Sequence, residues 1–401
     1  MIQPIRHSFN RSFDSAAYER LLQEFERNYP GALDFRVAET PVFIDRSFTQ
    51  QLLDTCEYVI DRILEPDFMK ATQRSIPERW KIPGNEGRPD FLAFDFGVCS
   101  QETGQFSPQL IELQGFPTLF GYQSLLANAY REFFDLDPSF SPFLSGLDQA
   151  SYQQLLRQII LGEHDPKEVV LLEIVPDQQK TRIDFYITSE LLKIPIACLT
   201  ELREKNGDLF YERNGTWHPI KRIYNRIIFD ELEQQPDRIR NQGALLSGCH
   251  SVEWCPHPHW FYRVSKFLLP YLHHPGVPKT YFLNEVKQIP ADLSQFVLKP
   301  LFSFAGQGVI IDPSPGDLAN IPDPENWILQ QKVTYAPLIP TPDDPAKVEI
   351  RLFYFWPPNA SRPIPTLNLA RLSKGKMIGT RYNKDRSWVG GSVCFFESRA
   401  G

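Results

Sequence analysis

The chain of 401 residues is short of several things, and each shortage removes a class of function. Only six cysteines occur, Cys56, Cys99, Cys198, Cys249, Cys255 and Cys394, scattered rather than regularly spaced. A disulfide framework has no support, and the usage suits a reducing cytoplasm. No apolar run approaches the roughly 20 residues that a helix needs to cross a membrane, and residues 1–20 mix charged and polar side chains with no apolar stretch of the signal-peptide kind. The expected location is cytoplasmic, with no membrane partner. Charge of one sign is nowhere concentrated: the formal charge of -7 comes from intermixed signs, without a basic stripe for nucleic acid. Any phosphate bound here must be held by a few placed cations, because the overall field does not attract it.

Apolar residues make up 42% and aromatics 13%, enough for large cores, so global disorder is excluded. Proline is abundant, with 35 residues that mostly lie between apolar runs and read as loop punctuation. The length suggests two or three domains. Residues 1–80 read as mainly helical, with Leu52, Cys56, Val59, Ile60 and Ile63 at helical spacing behind a cap at Asp45 or Ser47. Residues 91–98 and 110–114 form a hairpin, followed by helices over 124–134 and 152–161. Strand 169–174, helix 179–192 and strand 194–199 predict a small α/β layer with a parallel sheet, and Asn206-Gly207 and Asn214-Gly215 mark two tight turns. No G-x-G-x-x-G follows the first of these strands, so a dinucleotide cofactor has no support. From 260 onward the pattern predicts a helix over 260–271 and short strands near 296–301, 309–312, 327–333, 348–356, 366–372 and 392–396, in a largely antiparallel sheet. The expected units are 1–162 (helical, carrying the hairpin), 163–250 (Rossmann-like layer) and 251–401.

Four groups of residues have the types that chemistry needs. In the hairpin, strand alternation puts Asp95 on the face opposite Leu92, Phe94, Phe96 and Val98, and a turn near Gly104 sets it across from Glu112, with Gln114 on the same face as Glu112. Two carboxylates and an amide oxygen are ligands for Mg²⁺, or else the wet side of a half-buried hairpin. Second, Lys299 closes an apolar strand before a loop containing Gly306 and Gly308, an arrangement in which an ammonium and backbone N–H groups can face phosphates, or simply a hairpin turn. Third, Gln330, Gln331 and Val333 end an apolar strand whose edge can meet an adenine ring, with Ile328, Leu329 or Val333 covering it. Fourth, Arg351, Arg371, Arg381, Lys384 and Arg386 recur near Gly390-Gly391, placed either to clamp a phosphoryl group or carboxylate or to form a solvated surface. Arg226 and Glu173 sit at strand ends of the α/β layer. Cys249, His250, Cys255, His257 and His259 carry soft ligands within eleven residues, but C-x5-C-x-H-x-H matches no standard zinc site.

The order of these parts carries a resemblance. Asp95-Phe96, then Leu110-Ile111-Glu112-Leu113-Gln114-Gly115-Phe116-Pro117-Thr118, resembles the metal hairpin of ATP-grasp enzymes. Its place before Lys299 is the circularly permuted order of the synthetase domain of glutathionylspermidine synthetase, whose two lysines resemble Lys266 in Val264-Ser265-Lys266-Phe267 and Lys299 in Leu298-Lys299-Pro300. The resemblance implies an α/β plus α+β fold, a permuted ATP-grasp with a Rossmann-like (pre-ATP-grasp) layer. It further implies ATP and Mg²⁺ as cofactors, and a ligase that joins a small-molecule carboxylate to an amine through an acyl phosphate. Asp95, Glu112 and Gln114 would hold the metal. Lys266, Lys299, Gly306, Gly308, Gln330, Gln331 and Val333 would hold the nucleotide, and Arg371 or Arg381 would stabilise the oxyanion. Gln114 replaces the family's asparagine and Ala93 its substrate-facing arginine, so a nucleotide-binding module without catalysis is the second reading and a zinc protein the third.

Overall fold

The structure is a computed structural model that describes residues 2–101, 104–248, 251–303, 306–375, 378, 383 and 385–398. Its strands, in chain order, are β1 (Val42–Ile44), β2 (Phe91–Ser100), β3 (Phe106–Gln114), β4 (Phe140–Ser141), β5 (Val169–Glu173) and β6 (Ile196–Cys198). There follow β7 (Arg203–Lys205), β8 (Asp208–Arg213), β9 (Thr216–Ile220), β10 (Arg222–Asn225), β11 (Glu253–Cys255) and β12 (Thr280–Phe282). The last are β13 (Phe296–Pro300), β14 (Ile310–Ile311), β15 (Trp327–Gln331), β16 (Lys347–Phe355), β17 (Ile364–Ser373), β18 (Gly390–Ser392) and β19 (Cys394–Glu397).

Three of the sheets decide where a ligand can sit. The central one is antiparallel, in the order β18-β17-β16-β2-β3. A second antiparallel sheet has the order β12-β15-β13-β14. The third, β11-β10-β5-β6, is parallel throughout. The Asn-Gly turns join β7, β8 and β9 into a meander, their asparagines and glycines at the positive φ that such two-residue turns require. β1, β19 and β4 form a small mixed sheet.

The central sheet is covered on both faces. Leu92, Phe94, Phe96 and Val98 of β2 enter a core with the helix Arg46–Ile63, whose first turn is capped by Asp45 accepting the Phe48 N–H at 2.8 Å. On the other face, Phe91 and Ala93 pack with Phe120, Tyr152, Phe353 and Phe355. Further along that face the same alternation brings Asp95 and Gly97 instead of apolar side chains, so the face turns from core to polar within one strand. The hairpin therefore has no wet side of the expected kind: β2 is an inner strand, buried from Phe91 to Cys99.

Several local expectations are corrected. β3 carries a bulge, because Asp95 pairs with Glu112 while Phe96 pairs with Leu110, leaving Ile111 as the extra residue. Leu110 and Leu113 thus share the core side, although three positions apart. The helix expected over 260–271 is broken into an α-turn, His259–Arg263, and a 3₁₀ segment, Lys266–Tyr271, that contains Pro270. The expected boundaries at 162 and 250 do not separate the sheets: β2 pairs with β16, which begins at Lys347, and β11 joins the parallel layer from beyond residue 250. Among the described residues, no helix is long and apolar enough to cross a membrane.

Candidate functional site

The polar half of the central sheet faces a cleft of about 940 Å³. Its floor follows from strand register. Asp95 of β2 is flanked by Glu112 of β3 and Arg351 of β16, and Glu349, two residues before Arg351, lies beside Arg371 of β17. Asp95 is only 1% exposed. Arg351 donates to both of its oxygens, Nη2 to Oδ2 at 2.5 Å, and Arg371 Nη2 reaches Oδ2 at 2.9 Å. Arg371 also pairs with Glu349, and Arg351 Nη1 extends to Thr118 Oγ1 at 3.2 Å. A carboxylate buried this deeply is costly unless paired, and the two guanidinium groups supply the pairing. Tyr335 closes the far side, donating to Glu349 Oε2 at 3.2 Å. Burial raises the Glu349 carboxyl above its ordinary range, and Arg371 opposes that rise.

Two lysines arrive from elsewhere in the chain. Lys266, 5% exposed and set by the 3₁₀ segment that Ser265 caps, donates to Glu112 Oε1 and to the Ser303 carbonyl, each at 2.8 Å. Lys299 of β13 donates to Gln330 Oε1 at 2.6 Å and to the Ile111 carbonyl, exposed by the bulge, at 3.2 Å. Burial works to raise the Glu112 carboxyl, but Lys266, with Lys299 and Arg351 behind it, holds it well below the usual carboxylate range. The Lys299 ammonium is pushed down to about 8, chiefly by burial, with Glu112 opposing the shift. Lys266, Lys299, Arg351 and Arg371 thus face Asp95, Glu112 and Glu349, and the cations are in excess.

Most of the residues singled out from sequence meet here. Glu112, Gln114, Lys266 and Lys299 line the cleft, as do Gly306, Gln330, Gln331, Val333 and Arg371. Gln330 is fixed by Lys299 and by its own bond to Thr280 Oγ1 at 3.1 Å. Three placements differ. Asp95 lies beneath the floor, both oxygens taken. Gly308 turns away, its φ of 73° placing it against Pro300, where a Cβ would come within 3.0 Å. Ile328 and Leu329 are in the cores, so the apolar walls of the cleft are Val297, Val309, Ile311 and Val333. Arg381, Lys384 and Ala305 lie outside the described residues. Sequence reasoning missed Glu349, Tyr335 and Thr118; the alternation of Glu349 with Arg351 in Val348-Glu349-Ile350-Arg351 was the available signal.

For a hard divalent cation the fit is with β3. Gln114 lines the cleft and its Nε2 donates to the Phe116 carbonyl at 3.2 Å, leaving the amide oxygen as an acceptor, while Lys266 engages one of the two Glu112 oxygens. Asp95 does not fit, being held by guanidinium groups. Among the described residues no group of three or more His, Cys, Asp or Glu side chains converges to hold a metal alone. Mg²⁺ takes one or two carboxylates and completes its shell with phosphates. The cysteine–histidine segment is built differently: His259 Nε2 accepts the Ile82 N–H at 3.0 Å, its Nδ1 lies 3.0 Å from Glu86, and Cys255 is buried at the end of β11. These residues pin the 80–90 strap, and Cys249 and His250 are outside the described residues.

No protein-family model and no curated protein matches the sequence. Among solved structures, the chain is similar to a glutathione synthetase-like effector from Globodera pallida in its apo form, with a TM-score of 0.58 and 11% identity over 96% of this chain and 97% of that one. At that identity the likeness concerns the fold: this is a mixed α/β protein of several sheets with a glutathione synthetase-like architecture along its whole length.

Proposed function

We propose that the chain is an ATP-dependent, ADP-forming carboxylate–amine ligase of the ATP-grasp type, in the permuted branch that glutathionylspermidine synthetase represents. The observation that carries this reading is the meeting of Lys266 and Lys299 with Glu112 and the Ile111 carbonyl across 154 and 188 residues of sequence. The place of β2 and β3, early in the chain yet joined through β2 to the late strand β16, supports the permuted order.

In this reading adenine lies between Val297, Ile311 and Val333, with Gln330 and Gln331 at its edge. The phosphates meet Lys266, Lys299 and the turn at Gly306, which supply positive charge where the nucleotide is negative. Glu112 and Gln114 would hold Mg²⁺ together with the phosphates, and the metal would supply positive charge against the γ-phosphoryl group. Arg371 faces the carboxylate that is phosphorylated and the oxyanion that forms when an amine displaces the phosphate. Because the floor is rigid and buried, orientation supplies much of the rate.

Calorimetric titration with a non-hydrolysable ATP analogue and Mg²⁺ tests the nucleotide half. The native chain binds, and Lys299→Ala loses at least about tenfold in affinity, as removal of a buried charged partner does; unchanged affinity in that variant overturns the reading. The capture of Asp95 by two arginines favours a second possibility, a nucleotide-binding module without turnover. ADP release on supplying paired acids and amines separates the two.

A further inference from the structure

Three cross-strand pairs build the cleft floor from the central sheet. Asp95 stands opposite Glu112 on one side and Arg351 on the other, and Glu349 stands opposite Arg371. Directly opposed side chains on one face lie about 5 Å apart at Cβ, so a short aspartate is covered by whichever longer neighbour leans over it. Arg351 is that neighbour. It lines the cleft, while Asp95 lies beneath it, almost wholly buried.

The oxygens of the two inner carboxylates are all taken. Asp95 accepts from Nε and Nη2 of Arg351 and from Nη2 of Arg371. Glu349 accepts from Arg371 on one oxygen and from the Tyr335 hydroxyl on the other. These two carboxylates and two guanidinium groups close into a neutral, charge-assisted network with Asp95 shared between the arginines. Arg351 is steered further by Thr118, whose Oγ1 accepts from Nη1 at 3.2 Å and whose carbonyl is held by Arg226 Nη1 at 2.7 Å. Glu112 is the exception on this floor. Lys266 engages its Oε1, no hydrogen bond reaches its Oε2 among the described residues, and its side chain is 32% exposed. Glu173 and Glu231, which also line the cleft, come from β5 and the helix Phe229–Glu233 rather than from the floor.

Many phosphoryl-transfer sites set two divalent ions roughly 3.5–4 Å apart. This floor has an open carboxylate for one. We propose that the nucleotide is taken up here with a single divalent cation on Glu112, and that the Arg351 guanidinium, fixed by Asp95, takes the place and supplies the charge of a second. Asp95 is then a positioning residue for two arginines and not a metal ligand. The assignment rests on the nucleotide half of the function proposed above and holds with or without turnover. Unlike an ion, a tethered guanidinium cannot dissociate, so once the nucleotide carries its own cation further metal adds nothing.

The experiment counts Mn²⁺, the paramagnetic substitute for Mg²⁺, by electron paramagnetic resonance on the full chain saturated with a non-hydrolysable ATP analogue. One Mn²⁺ per chain is expected, without dipolar coupling between ions. Asp95→Asn should still hold one Mn²⁺, whereas Glu112→Gln should lose at least about tenfold in Mn²⁺ affinity. Arg351→Met uncovers Asp95 and should take up a second Mn²⁺ coupled to the first; Asp95→Asn combined with Arg351→Met should return to one. A coupled Mn²⁺ pair in the native chain, loss of the single Mn²⁺ in Asp95→Asn, or a folded Arg351→Met chain that stays at one ion each overturns the proposal. Where Arg351→Met does not fold, the counts in the native chain and Asp95→Asn decide. No analogue binding by the native chain sinks the ligase reading and this assignment together, while binding with two ions keeps that reading and sinks this one.

Discussion

Asp95 and Lys299 are two residues whose neighbours decide what they can do. Asp95 is a carboxylate enclosed by Arg351 and Arg371. Removing Arg351 leaves a buried charge half compensated, so Arg351→Ala should destabilise the fold by about 3–5 kcal/mol in denaturant melts, whereas Asp95→Asn combined with Arg351→Met should recover most of that loss. Lys299 supplies a pH test. In the free chain its ammonium titrates near 8, and a phosphate beside it keeps it protonated to higher pH. Between those two values binding takes up a proton, so affinity for the ATP analogue should fall by up to about tenfold per pH unit as pH rises above 8. The same dependence in Lys299→Met would show that another group is responsible. That Asp95 and Glu112 come near each other was legible from a period of two and a turn near Gly104, although their direct pairing rests on the bulge, without which Asp95 would face Ile111. Asp95's true partners were not, because register between β2 and β16 depends on residues more than 250 positions apart.

Elements rather than single side chains shape the floor. β2 packs apolar side chains into one core along its whole length and changes character on the other face at Asp95, where Gly97 makes room for Tyr335. A Cβ at Gly97 would stand 2.9 Å from the Tyr335 ring. Gly97→Ala should therefore cost about 1–3 kcal/mol and displace Tyr335 from Glu349, visible as a lower melting temperature and altered tyrosine fluorescence. Phe94→Ala, deep in the core, should cost more, about 3–5 kcal/mol. The strands themselves could be read from alternation, but the bulge at Ile111 could not: an apolar residue between Leu110 and Glu112 looks like regular core sequence, and only the pairing with β2 shows which residue is extra. The helix broken after Arg263 is the reverse case, since Pro270 was in view and its effect on the expected helix was underestimated.

At the scale of the molecule the three sheets converge on one cleft lined from strands far apart in the chain. A ligand that binds only the folded chain stabilises it, by about 2.7 kcal/mol at a hundred times its dissociation constant. The ATP analogue should thus raise the melting temperature of the native chain, and the rise should shrink in Lys299→Ala. The convergence was only partly legible: ordering of motifs pointed to Lys266 and Lys299, while the arrival of the parallel layer at the same cleft depends on how the sheets pack.

One consequence follows from the resting contacts of those lysines. Lys266 lies on Glu112, and Lys299 on Gln330 and the Ile111 carbonyl, so an anion that takes up either ammonium must displace a partner within the chain. A guest with a single phosphate merely exchanges one neutralising partner for another and gains little. A guest with several brings more negative charge than the carboxylate it displaces, so under the proposed function these contacts would discriminate by phosphate count.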